Sequence, residues 1–120
     1  MSRRLLLVDD EADIRLILKF RLEKAGFEIV TAADGEEAYA LLERGGIDIV
    51  LTDLKMPILD GIELYHRIKA DPRLKHIPVL VMTATAERYT PQALEGVGEG
   101  KLLKPFEISD LLEMIDRFCR

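Results

Sequence analysis

The sequence has little of several things, and each shortage excludes something. It has one cysteine, Cys119, beside the C-terminus. A lone thiol closes no internal disulfide, which fits a reducing compartment. No apolar run approaches the roughly 20 residues that a membrane span needs. There is no basic excess: 17 Lys and Arg stand against 22 Asp and Glu, a net charge of −5. Nucleic acid and anionic membrane surfaces are both bound by basic patches, so neither is expected as a direct partner. Repeats, low-complexity tracts and linkers are absent too. Only a few residues separate Met1 from the first predicted strand, which leaves no room for a secretory signal. A cytoplasmic location is expected.

What is there is a chain of 120 residues, 48% apolar and 32% charged. That is one ordinary domain, residues 1–120, able to bury a core without staples. Short apolar runs alternate with longer amphipathic stretches. Arg4 to Asp9 (RLLLVD) reads as a buried strand. Glu11 to Ala25 carries Ile14, Ile17, Leu18 and Leu22 at helical spacing and stops at Gly26. Phe27 to Ala32 is a second strand, turned by Asp34 and Gly35 into a helix from Glu36 to Arg44. Ile47 to Thr52 is a third strand, followed by Asp53. A loop with Met56, Pro57 and Gly61 leads to a helix that ends near Ala70, because Pro72 disfavours helix at Asp71. Pro78 to Met82 is a fourth strand. Thr90-Pro91 opens a short helix. Lys101 to Leu103 is a fifth strand, and a last helix starts at Glu107 or Ser109.

Strands apolar on both faces must be covered on both faces. The pattern therefore predicts the α/β class, a doubly wound five-stranded parallel sheet between helices. Ligands of such sheets bind at the carboxyl ends of strands. The polar residues at those ends are Asp9, Asp10 and Glu11 after the first strand, Thr31 after the second and Asp53 after the third. Thr83 and Thr85 follow the fourth, and Lys104 follows the fifth.

Strands one and three are neighbours in the doubly wound order, so Asp9, Asp10 and Asp53 should converge. Two carboxylates about 4–5 Å apart repel by roughly 3–4 kcal/mol at an effective dielectric near 20. A cation or a proton must offset this. A few oxygen ligands suit Mg²⁺, which keeps several waters. Lys104 adds an ammonium and Thr83 a hydroxyl. Acids, a divalent cation, an ammonium and a hydroxyl make a site for a phosphoryl group, and one carboxylate can be its nucleophile. Each residue alone has an ordinary structural use: Asp9 or Asp10 as a helix cap, Asp53 as a turn cap, Thr83 as a strand end. It is their conjunction at four strand ends that points to chemistry.

LLLVDDE, IVLTDLKMPILDG, VLVMTA and LLKPF together resemble the receiver domain of two-component response regulators, from Arg4 to about Phe118. The resemblance implies a flavodoxin-like order 2-1-3-4-5 flanked by five helices. It implies Asp53 as phosphoacceptor. Asp9, Asp10, Asp53 and the Lys55 carbonyl are implied as the Mg²⁺ shell. Thr83 and Lys104 are implied as the groups that follow and pair with the phosphoryl group, with Lys104-Pro105 cis. The implied partner is a sensor histidine kinase or histidine phosphotransfer protein, docking on the exposed side of the first helix. The implied function is a phosphorylation-activated switch. It is not an enzyme for a separate substrate, although it contributes to its own phosphorylation and dephosphorylation.

One position departs from the family: Lys101 stands three residues before Lys104-Pro105, where receivers carry Tyr or Phe. The run GVGEG (Gly96 to Gly100) before it is rich in glycine. Tyr89 is the only aromatic residue between Thr83 and Gly100 and could partly substitute as the moving ring. Other readings fit less well. An aspartyl-phosphate phosphatase wants an acid where Lys55 stands, and it wants a cap domain. A flavin or nucleotide module wants a glycine- and hydroxyl-rich loop where VDDEAD stands. A receiver fold used mainly for protein contacts remains an alternative that phosphorylation assays separate.

Overall fold

A computed structural model describes residues 3–83 and 96–118. The described elements follow in the order β1 (Arg4–Val8), α1 (Ala12–Lys24), β2 (Glu28–Ala32), α2 (Gly35–Glu43), β3 (Ile49–Asp53), α3 (Gly61–Ala70), β4 (Val79–Thr83), β5 (Gly100–Leu103) and α4 (Ile108–Phe118). The sheet order is β2-β1-β3-β4-β5, with every neighbouring pair parallel. Four helices lie among the described residues. The short helix predicted to open at Thr90-Pro91 falls outside them, as do Thr85, Tyr89 and Cys119.

Side chains alternate along each strand, and here the alternation divides the core in two. Leu5, Leu7, Ile49, Leu51, Leu80 and Met82 pack with Leu18 and Leu22 of α1 and Leu111 and Ile115 of α4. Leu6, Val8, Val50, Val79 and Val81 pack with Ala38 and Leu42 of α2 and Leu64 and Ile68 of α3. Each fully buried leucine contributes about 1.5–3 kcal/mol. The sheet is thus held from both faces, and only its edges and ends meet water.

The helix starts follow side-chain chemistry. Asp34 accepts the Glu37 N–H at 2.8 Å and Asp60 accepts the Glu63 N–H at 2.9 Å, capping α2 and α3. Gly26, at φ +101°, ends α1 in the left-handed region that glycine adopts freely. β3 begins at Ile49 rather than Ile47. Ile47 is buried, but the chain first ties to β1 at Asp48, whose N–H donates to the Arg4 carbonyl at 2.8 Å and whose carboxylate takes the Arg4 N–H. Burial and strand pairing part company there. β5 begins one residue earlier than predicted, at Gly100.

Candidate functional site

The carboxyl ends of β1, β3 and β4 lie side by side, because Val8 is in register with Thr52 and Asp53 with Met82. Asp9 and Asp53 therefore emerge at one edge. Both are buried, at 0% and 7% exposure, whereas Asp10 and Glu11 are exposed. One carboxylate oxygen from each of Asp9, Asp10, Glu11 and Asp53 lies within 4.8 Å of all the others. The predicted convergence of Asp9, Asp10 and Asp53 is present. Glu11, which directly follows the acid pair and is absent from the expected ligands, joins the cluster as a fourth carboxylate.

One cation faces the cluster from β5. The Lys104 ammonium donates to Asp53 Oδ2 at 3.2 Å and to Asp9 Oδ2 at 3.4 Å. Burial works against the charge on Lys104, but the Asp53 and Asp9 carboxylates outweigh it and hold the ammonium above its ordinary value. Asp9 is raised as well, with burial as the main cause. Its removal from water pushes its carboxyl up, against the Glu11 N–H and Lys104, and Asp53 adds repulsion. A buried carboxylate beside another, with one ammonium between them, retains an excess of negative charge.

The backbone fixes these groups. Asp9 Oδ1 accepts the Glu11 N–H at 2.9 Å. The N-cap of α1 is Glu11, without a side-chain cap bond, so neither Asp9 nor Asp10 serves the ordinary capping role. Asp53 Oδ1 accepts the Leu54 N–H at 2.8 Å. Thr83, buried at the end of β4, accepts the Lys104 N–H on its carbonyl at 2.8 Å, which places hydroxyl and ammonium on adjoining strands. Lys104-Pro105 is cis. Lys55 lies in the loop after Asp53 with its side chain exposed. That loop returns at Gly61, whose N–H donates to the Leu54 carbonyl at 2.8 Å. A Cβ at Gly61 would stand 2.3 Å from the Asp53 carbonyl oxygen, so only glycine lets α3 start against the end of β3. Lys101 pairs with Val81 and is exposed.

A second feature adjoins the edge. Ile14, Ile17, Leu18, Lys104, Pro105 and Phe106 line an open groove of about 450 Å³. Beside it α1 exposes Leu16, Ile17 and Phe20 at 69%, 55% and 60%. Arg21 and Lys24 of the same helix border the apolar patch.

The donor set is all oxygen and compact, and its charge excess suits a small hard divalent cation such as Mg²⁺. No helix among the described residues is long and apolar enough to cross a membrane.

Comparison with known proteins agrees with this geometry. A family profile described as the response regulator receiver domain matches residues 5–116. The chemotaxis protein CheY-3 of Vibrio cholerae is 40% identical over 118 residues, which is 97% of this chain and 91% of that protein. The chemotaxis protein CheY of Pseudomonas aeruginosa is 39% identical over 116 residues, 95% of this chain and 94% of that protein. The response regulator TrrA of Thermotoga maritima, solved in complex with Mg²⁺-BeF, matches at a TM-score of 0.87 and 31% identity, covering 98% of this chain and 99% of its own. With its 2-1-3-4-5 sheet and an acidic edge answered by a lysine, the chain belongs to the response regulator receiver domain family of two-component signalling.

Proposed function

We propose that this chain is a phosphorylation-activated switch that accepts a phosphoryl group on Asp53 in a Mg²⁺-dependent reaction. The donor is a sensor histidine kinase or a histidine phosphotransfer protein. The observation that carries the reading is the Lys104 ammonium bridging Asp9 and Asp53 within a four-carboxylate cluster. A structural ion pair needs one carboxylate per ammonium. Four carboxylates, with the Lys104 ammonium between two of them and the Arg15 guanidinium at the Asp9 carbonyl, still leave charge for a divalent cation.

Asp9, Asp10 and Asp53, with the Lys55 carbonyl, would hold Mg²⁺. When bound, it would neutralise charge on the phosphoryl oxygens. The chain's own groups do the rest. The Leu54 N–H orients the Asp53 carboxylate. A carboxylate oxygen forms the new bond to phosphorus as the P–N bond of the phosphohistidine breaks. The electron pair leaves with the imidazole, which takes a proton from solvent. Lys104 offers its ammonium, and Thr83 its hydroxyl, to the phosphoryl oxygens of the acyl phosphate. The groove beside Lys104 and the exposed Leu16, Ile17 and Phe20 suit apolar helix faces of the donor. The complex of TrrA with Mg²⁺-BeF supports the same reading by kinship.

Incubation with acetyl phosphate tests it. Wild type should gain one phosphate with Mg²⁺ and none with a chelator, and Asp53→Asn should gain none. Stoichiometric, acid-stable labelling of Asp53→Asn would sink the assignment. A wild type that stays unlabelled by acetyl phosphate and by phosphorylated kinases would favour a module used for protein contacts alone.

A further inference from the structure

Asp9 is held at every polar atom. Its N–H donates to the Ala32 carbonyl at 3.1 Å, and its carboxylate takes the Glu11 N–H and the Lys104 ammonium. Its carbonyl accepts the Arg15 guanidinium, Nη1 to O, at 2.6 Å. That last bond comes from a partly buried side chain on α1, six residues along. The carbonyl it holds belongs to the peptide that joins Asp9 to Asp10. The plane of that peptide sets the direction in which the Asp10 side chain leaves the backbone.

We infer that Arg15 is a positioning residue that locks the Asp9–Asp10 peptide and so presents the Asp10 carboxylate to the divalent cation. The inference deepens the proposed function and rests on it. The need follows from charge. Asp10 is exposed, and it sits in a cluster whose carboxylates repel one another before a cation arrives. Left alone, an exposed carboxylate turns away into water. Rotating the peptide would free it to do so, and the guanidinium opposes that rotation by a charge-assisted hydrogen bond. Arg15 would thereby arrange the donor set in advance without touching the metal or the phosphoryl group.

Position and charge make opposite predictions, which makes the idea testable. A cation near an acidic site lowers its affinity for Mg²⁺ by simple repulsion. If Arg15 acted only through charge, its removal would tighten Mg²⁺ binding. If it acts by position, removal should weaken binding, roughly tenfold, the lower end for partners that orient metal ligands. Mg²⁺ alone is titrated by calorimetry into wild type, Arg15→Met and Arg15→Lys. Arg15→Met should bind more weakly by about that factor. Arg15→Lys keeps the charge and one donor, and should recover part of the loss. In the metal-free protein, the Asp10 amide resonance should shift or broaden in Arg15→Met while that of Leu54 stays in place. Arg15→Met binding as tightly as wild type, or more tightly, would overturn the inference. If Arg15→Met does not fold, Arg15→Lys alone decides: affinity equal to wild type with an unmoved Asp10 amide would show that the directed guanidinium bond is not needed. Wild type that fails to bind Mg²⁺ at all would instead overturn the proposed function.

Discussion

Asp71 follows α3, and three groups converge on its carboxylate. Arg73 donates from Nε at 3.2 Å and from Nη2 at 3.0 Å, its backbone N–H donates at 2.9 Å, and the Tyr39 hydroxyl donates at 2.7 Å. The Arg73 bonds first, then Tyr39, hold the Asp71 carboxyl well below its ordinary value of 3.8. The same bond, accepted by Asp71, pushes the Tyr39 phenol above 10.0. The signs follow from linkage. A depressed carboxylate contributes stability that is present above 3.8 and lost as pH falls below it toward the folded value. A raised phenol contributes stability that is present below 10.0 and lost as pH rises beyond it. The tie between α2 and α3 therefore persists across the whole neutral range. A carbon-detected NMR titration should find Asp71 still ionised at pH 3.8, where an unperturbed aspartate is about half protonated. An Asp71 midpoint at the ordinary value would show that the contacts are too loose to matter. Little of this was legible in the sequence. Pro72 marks Asp71 as a helix stop, which it is, but its partner Tyr39 is 32 residues away and no local pattern links them.

At the scale of elements, the opposite end of the sheet carries its own clamp. Glu99, just before β5, accepts the Val79 N–H on Oε2 at 2.7 Å and donates its own N–H to the Val79 carbonyl at 2.8 Å. Lys69 of α3 pairs with Glu99 Oε1 and donates to the Lys75 and Ile77 carbonyls at 3.0 and 2.8 Å. One lysine and one glutamate thus join α3, the turn after it and two strands. Glu99→Ala leaves the Val79 N–H without its acceptor and should cost about 1–3 kcal/mol. Glu99→Gln keeps the acceptor and loses only a partly exposed charge pair, so its cost should be about 0–1 kcal/mol. Urea denaturation of both variants checks the split. Equal losses would place the stability in the ion pair instead.

The elements themselves were largely legible, because apolar runs and helical spacing are local signals. Asp9, Asp10, Asp53 and Thr83 stand out for a similar reason, since each ends or follows an apolar run that reads as a buried strand; Lys104 follows a shorter, half-exposed strand and stands out by its place beside them. Ile47 misled because an apolar residue can be buried before its backbone pairs. Arg15 and Glu99 could not be found that way. Their roles depend on a long side chain reaching back to a main-chain atom, and such reach leaves no period and no motif. Glu11 was visible beside the acid pair, yet only the fold shows that its carboxylate reaches the others.

For the whole molecule, the acidic edge sets native stability against function. Without a cation the cluster opposes folding, since its carboxylates are closer together in the native state than in the open chain. Any ligand that binds only the native state raises stability by mass action, by about 2.7 kcal/mol at a hundredfold excess over Kd. Mg²⁺ should therefore raise the melting temperature. Asp10→Ala removes one repelling charge and, on the proposed reading, one ligand together. Its Tm in chelator should exceed that of wild type, by the equivalent of about 0.5–1 kcal/mol for an exposed charge, and its rise with Mg²⁺ should be much smaller. Calorimetric melts of both proteins, with and without Mg²⁺, measure the two effects. If Asp10→Ala melted with wild type under both conditions, Asp10 would be a bystander to the cation.

The split core described above bears on how the chain can vary in length. Each strand serves both halves of the core by alternation: in β3, Ile49 and Leu51 face one half and Val50 the other. Deleting one residue within Ile49–Asp53 would send the leucine side of β3 toward α2 and α3. It would also shift Asp53 off the edge that Asp9 and Lys104 share. Substitutions in these strands cost volume, whereas a gain or loss of one residue costs the parity of the element and the chemistry at its end. Changes in length that keep the switch working therefore belong in the connections away from the acidic edge.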